Sequence, residues 1–201
     1  MNTSNNPYRG QDFFKLWVEI CKEREEVHLR DFRNSRLHTG HMLTKENSVI
    51  EAVANQLDLK CYCGYYSIDA ILFKDPDDRV PDVPPNTTWV RRIRIAFEHE
   101  NYFHSGLFQE VSHLLITDCD LRVLVSYANK PTELEGQLEH LFRIIKGSDR
   151  SNQISEADSF LFIVESGLQK DCFEWLGHVY KGVQTSFCKF IPSHSVEWSR
   201  A

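Results

Sequence analysis

The chain has 201 residues, 41% of them hydrophobic and 26% charged, an ordinary balance for a globular domain that buries about 70% of its unfolded surface. Its net charge of −6 excludes a molecule that is basic as a whole, although a local basic surface is compatible with that sum. No stretch approaches the roughly 20 apolar residues of a membrane span, and the polar start MNTSNNPYRG has no basic segment leading into an apolar run, so a single cytoplasmic domain over 1–201 is expected.

From Gln11 to about Leu29, Phe13, Leu16, Trp17, Ile20 and Cys21 recur at helical spacing and give one apolar stripe. The polar segment after it carries Arg30, Arg33, Arg36, His38, His41 and Lys45 and reads as a loop or a broken helix. Such a run either contacts phosphates or is a solvated surface. A second helix follows, with Val49, Ile50, Val53 and Leu57 inward and Glu51 beside that stripe.

The period then changes. Aromatic and β-branched residues predict a strand from about Tyr65 to Lys74, with Asp69 in its middle. DPDDRVPDVPPNTT is too rich in proline for a helix or a central strand, and is expected to be a loop. WVRRIRIAFEHE is the second strand, and Ser105 is placed to cap a helix over SGLFQEVSHLLIT. LRVLVSYA is the third strand, and a helix begins after Pro131 and stops at Gly147. SFLFIVES is the fourth strand, and alternation around Phe187, Lys189 and Ile191 favours a last one. Strands separated by helices predict an α/β fold: a three-layer-like sandwich with a central mixed sheet flanked by helices.

The chemistry concentrates at the end of the second strand. Side chains alternate there, so Glu98 and Glu100 share one face and His99 takes the other. Two carboxylates side by side repel unless a cation or an arginine lies between them. Asp69, with apolar neighbours, is costly to bury alone and needs a partner. If the two strands form a hairpin, Asp69 and Glu98 meet near one end, and clustered oxygen ligands suit a hydrated divalent cation such as magnesium.

SIDAILF, then IRIAFEHEN, then SGLFQEVSHLLITDCDLRVLVSY resembles the PD-(D/E)xK, or restriction endonuclease-like, nuclease superfamily over about residues 46–127. The helix at 11–29 and the C-terminal strands and helix would then be elaborations. The family core is helix–strand–strand–strand–helix–strand, which requires an extra strand around Cys61. The resemblance implies hydrolysis of phosphodiester bonds in DNA or RNA, DNA first, with Mg²⁺ or Mn²⁺. It implies Asp69 and Glu98 as metal ligands, the His99 carbonyl as a third, and a glutamate from the preceding helix, Glu51 or else Glu46, completing the site. Glu100 stands where the family usually has lysine, and would orient or deprotonate the attacking water. The same departure fits a fold that no longer cuts and binds nucleic acid or a protein instead. Arg30, Arg33, Arg36 and Lys45 are the candidate nucleic-acid contacts, and a homodimer or a protein partner is compatible with the chain.

Each assignment has a competitor. Glu98 and Glu100 would be structural if they paired with Arg92 and Arg94 on their own face. Gln109 and His113 share a helix face that either lines the site or borders it. Cys61 and Cys63, with His99 or His104, have a weak zinc spacing. A hydrolase built on Cys119 and His113 lacks a nucleophile signature. The six cysteines are expected to be reduced. No glycine-rich phosphate loop is present.

Overall fold

The computed structural model describes residues 7–75, 89–103, 107–128, 131–165, 174–182 and 186–190. Helices α1 (Gly10–Glu23), α2 (Glu25–Asp31) and α3 (Ser35–Thr39) run into a π-helical turn, Gly40–Thr44, and then α4 (Val49–Gln56). Strands β1 (Lys60–Tyr65), β2 (Ile68–Phe73) and β3 (Ile93–Glu100) precede α5 (Leu107–Ile116) and β4 (Cys119–Tyr127). The chain continues through α6 (Pro131–Lys146), α7 (Ser151–Glu156), β5 (Phe160–Glu165), β6 (Trp175–Lys181) and β7 (Ser186–Phe190).

The seven strands form one sheet in chain order. β3, β4 and β5 are parallel, and the pairs on either side of them are antiparallel. Parallel neighbours need a crossover, and α5 and the α6–α7 pair provide the two. Alternation along the strands divides the interior into two cores. Ile95, Phe97, Val123 and Ile163 face α1 and α4, whereas Ala96, Leu124 and Phe162 face α5, α6 and α7. The result is a helix–sheet–helix sandwich. Among the described residues no helix is long and apolar enough to cross a membrane.

Trp17, fully buried, centres the first core, with its ring 5.5 Å from Phe97 and 5.6 Å from Trp175 between centroids. α1 lies close on β6 because residue 177 is glycine: a Cβ there would come within 2.8 Å of the Phe14 ring.

Several expected boundaries move. The helix at 11–29 is two helices, broken at Arg24, which turns α2 so that His28 and Asp31 point inward. Of the two readings of Arg30 to Lys45, the broken helix holds: α2 ends at Asp31, and α3 and the π-helical turn take up 35–44. The strand expected from Tyr65 to Lys74 is the second arm of a hairpin. Gly64 and Tyr66 take left-handed backbone, φ 73° and 53°, and reverse the chain between β1 and β2. α7 and β6 had no counterpart in the sequence reading. The Ser105 cap, and most of the proline-rich segment, lie outside the described residues.

Candidate metal centre at the end of β3

Register places Ala70 opposite Phe97 and Ile71 opposite Ala96, so β2 and β3 are antiparallel neighbours that carry Asp69 and Glu98 at the same end. Glu98 is 1% exposed. Its Oε2 accepts the Asp69 backbone N–H at 3.3 Å, and Asp69 Oδ2 accepts the His99 backbone N–H at 2.8 Å. The two acidic residues are thus laced together through the main chain.

α5 supplies the rest. Glu110 and His113 are three residues apart, so both face the end of β3. His113 Nδ1 lies 3.3 Å from Glu98 Oε1 and 3.6 Å from Glu110 Oε2. One ligand atom from each of Glu98, Glu110 and His113 falls within 4.8 Å of the others. This triad is the metal-capable group among the described residues. Asp69 stands beside it, outside the triad. Two carboxylates and one imidazole fit a divalent ion, and the imidazole favours a transition ion such as Mn²⁺ over Mg²⁺.

The electrostatics describe a site short of positive charge. Burial pushes the Glu98 carboxyl up to about 10, helped by a hydrogen bond shared with Glu110 and by the charges of Glu110 and Asp69. Burial also raises Asp69, with Glu110 adding to the effect and the His99 N–H opposing it. Glu100 is raised by burial too, and by Glu110 and Asp69, against the pull of the Tyr102 N–H that it accepts at 2.6 Å. A bound cation relieves all of these at once.

Arg92 and Arg94 both reach Asp120, near the start of β4, at 2.7 and 3.4 Å. Glu51 is placed elsewhere. Its Oε2 accepts the Asn47 N–H at 2.6 Å and its own N–H points at Ser48 Oγ, the reciprocal arrangement that starts α4. α4 packs on the opposite face of the sheet from α5, and Glu51 is outside the Glu98–Glu110–His113 triad. Of the basic candidates, Arg30 and Lys45 are held by Asp31 at 2.8 and 3.2 Å, whereas Arg33 and Arg36 are exposed. Cys21, Cys61, Cys63 and Cys119 are free thiols. Neither Cys61 nor Cys63 belongs to the metal-capable triad, and His104 lies outside the described residues.

The imidazole of His99 takes the other face, where its Nε2 lies 2.8 Å from the Tyr127 hydroxyl. There it joins His28, His38 and His41, all buried. Ring centroids are 4.9 Å apart for His28 and His38, and 5.5 Å for His38 and His99. Burial, and then the neighbouring imidazoles, lower His28 to about 2 and His99 to about 3. Burial likewise lowers His41 to about 4 and His38 in the same direction. The cluster is neutral at physiological pH.

Comparison with family models, with curated proteins and with solved structures returned no match.

Proposed function

We propose that the chain is a divalent-metal-dependent hydrolase of phosphodiester bonds in nucleic acid. The observation that carries this reading is Glu98, a buried carboxyl at a strand end that gathers Asp69, Glu110 and His113. A buried carboxylate in that company is stable only as an acid or as a ligand. Support also comes from the order of elements: α4, β1, β2, β3, α5 and β4 run helix–strand–strand–strand–helix–strand, the order that the nuclease resemblance implies.

Glu98, Glu110 and His113 would hold the ion, and Asp69 braces Glu98 through its N–H while adding negative charge. A bound ion supplies a Lewis acid and lowers the pKa of a water molecule. Glu100, two residues beyond Glu98 on the same face, would accept one proton of the attacking water as its oxygen bonds to phosphorus, the P–O ester bond breaks and the departing oxygen takes a proton from solvent. A second reading, nucleic-acid binding without cleavage, rests on Glu100 standing where the resemblance leads one to expect lysine.

Cleavage of single- and double-stranded DNA and RNA with Mg²⁺, with Mn²⁺ and with a chelator separates the two. The expected result is cleavage with Mn²⁺, less with Mg²⁺, and none with the chelator. Chelator-resistant cleavage rules the mechanism out, and binding without any cleavage selects the second reading.

The basic segment has its own test. Replacing Arg33 and Arg36 with alanine is expected to weaken nucleic-acid binding. It should also flatten the slope of log affinity against log salt by about 0.7–0.9 for each phosphate that is no longer neutralised. Arg30→Ala should do less, because Arg30 already serves Asp31. Titrations at several salt concentrations that overlay the wild type would return the segment to plain solvated surface.

A further inference from the structure

We propose that the cavity beside the end of β3 holds one unpaired nucleobase, so that the substrate is single-stranded or locally unpaired nucleic acid. This rests on the nucleic-acid reading above and deepens it. The cavity has a volume of about 290 Å³, at the small end of ligand pockets, room for one base and not for a stacked pair. Phe32, His38 and Tyr127 line it with Tyr102, Asn101 and Arg33.

The first three rings are fixed in place. Phe32 lies 5.1 Å from His38 and 5.7 Å from Tyr127 between centroids. The Tyr127 hydroxyl is held by His99, and His38 Nδ1 is held by Asn101 Oδ1 at 3.1 Å. Asn101 Nδ2 in turn donates to Thr39 Oγ1 at 2.9 Å. A wall held this firmly gives up little conformational freedom when a planar ligand arrives. Tyr102, by contrast, is 65% exposed, an aromatic ring left open to a stacking partner. Arg33 is exposed at the same cavity, where a guanidinium can meet a phosphate.

The His38–Tyr127 wall of the cavity belongs to the face of the sheet opposite the triad, and the cavity meets the proposed chemistry where the chain rounds the end of β3. The Tyr102 N–H binds the Glu100 carboxylate, so the stacking ring is set two residues after the group proposed to activate water. Paired bases in a duplex do not offer a free face to such a cavity; unpaired or extruded bases do.

The test measures fluorescence anisotropy of labelled single-stranded, duplex and abasic-containing oligonucleotides with wild type, Tyr102→Phe, Tyr102→Ala and Arg33→Ala, in chelator so that nothing is cut. The expected result is tighter binding of the single strand than of the duplex, with about a tenfold loss for Tyr102→Ala on single strands. Duplex binding should be unchanged in that variant, and Tyr102→Phe should match the wild type. An abasic strand should show no dependence on Tyr102, and Arg33→Ala should weaken both substrates. Equal binding of single strands by wild type and Tyr102→Ala overturns the proposal, as does a preference for duplex. A parallel Mn²⁺ titration keeps the two ideas apart: Tyr102-dependent binding in a protein that takes up no Mn²⁺ sinks the metal centre and leaves the base cavity standing.

Discussion

Changing Glu98 to glutamine is expected to abolish Mn²⁺ binding and, in the same molecule, to stabilise the metal-free protein above neutral pH. In the unfolded chain this carboxyl ionises near its ordinary value of 4.5, and in the fold near 10. Between those values the folded state holds the extra proton. Stability of the metal-free protein therefore falls as pH rises through that window, by about 1.4 kcal/mol per pH unit, and levels off above it. Glutamine has nearly the same volume, keeps a hydrogen bond to Glu110, and has no proton to lose. Urea midpoints from pH 5 to pH 9 should thus show a flatter profile for Glu98→Gln than for the wild type. Mn²⁺ should lift the wild-type curve most at high pH, since a carboxylate must be deprotonated to bind it, and should leave the variant unmoved. Parallel pH profiles for the two proteins would mean that Glu98 carries no unusual proton.

Acid should act through the other face of the sheet. His28, His38, His41 and His99 are neutral in the fold, with values lowered from 6.5. Below about 6.5 the unfolded chain takes up protons that the folded chain refuses, so stability is lost as pH falls. Each histidine still neutral in the fold contributes about 1.4 kcal/mol per pH unit. His28, His41 and His99, still neutral near pH 4.5, outweigh the opposite slope of Glu98 between pH 6.5 and 4.5, while the raised carboxyls of Asp69 and Glu100 reduce the margin. Neighbouring Asp31 tempers the effect, since its negative charge favours protonation of His28, His38 and His41. His28→Gln removes one titrating ring and should make the acid slope shallower by up to one histidine's share. Chemical denaturation between pH 4 and pH 6.5 measures it, and identical slopes would show that the rings titrate as they do in an unfolded chain.

Much of this architecture was legible in the sequence because it rests on periodicity. The stripes of α1, α4 and α6 follow from residues that repeat at 3.6, and β3, β4 and β5 follow from apolar runs bounded by polar segments. The hairpin was not legible, because its reversal uses Tyr66 in left-handed backbone, and tyrosine is no turn signal. β6 is buried over almost all its length, but Gly177 and His178 interrupt its apolar run, and six-residue α7 is too short for a stripe.

The candidate site divides the same way. Strand alternation put Glu98 and Glu100 on one face, and the meeting of Glu98 with Asp69, which depended on their two strands pairing, follows from β2 lying antiparallel beside β3. Glu110 was missed, although E-V-S-H in α5 sets a glutamate and a histidine three apart, the spacing that presents both to one point; only the fold shows that the point is Glu98. Glu51 has a place on the preceding helix, and its carboxylate accepts the N–H of Asn47, just ahead of α4. The histidine cluster was hidden in a segment that reads as basic and solvated, because three short helical pieces and β3 must come together before its rings meet.

A single divalent ion held by Glu98, Glu110 and His113 is the central proposal. Titrating the protein with Mn²⁺ and following the free ion by electron paramagnetic resonance tests that directly, with Glu98→Gln, Glu110→Gln and His113→Ala measured beside the wild type. The predicted result is one ion per chain in the wild type, none in Glu98→Gln, and weakened binding in the other two. No Mn²⁺ uptake by the wild type, or uptake that all three substitutions leave unchanged, would contradict the account.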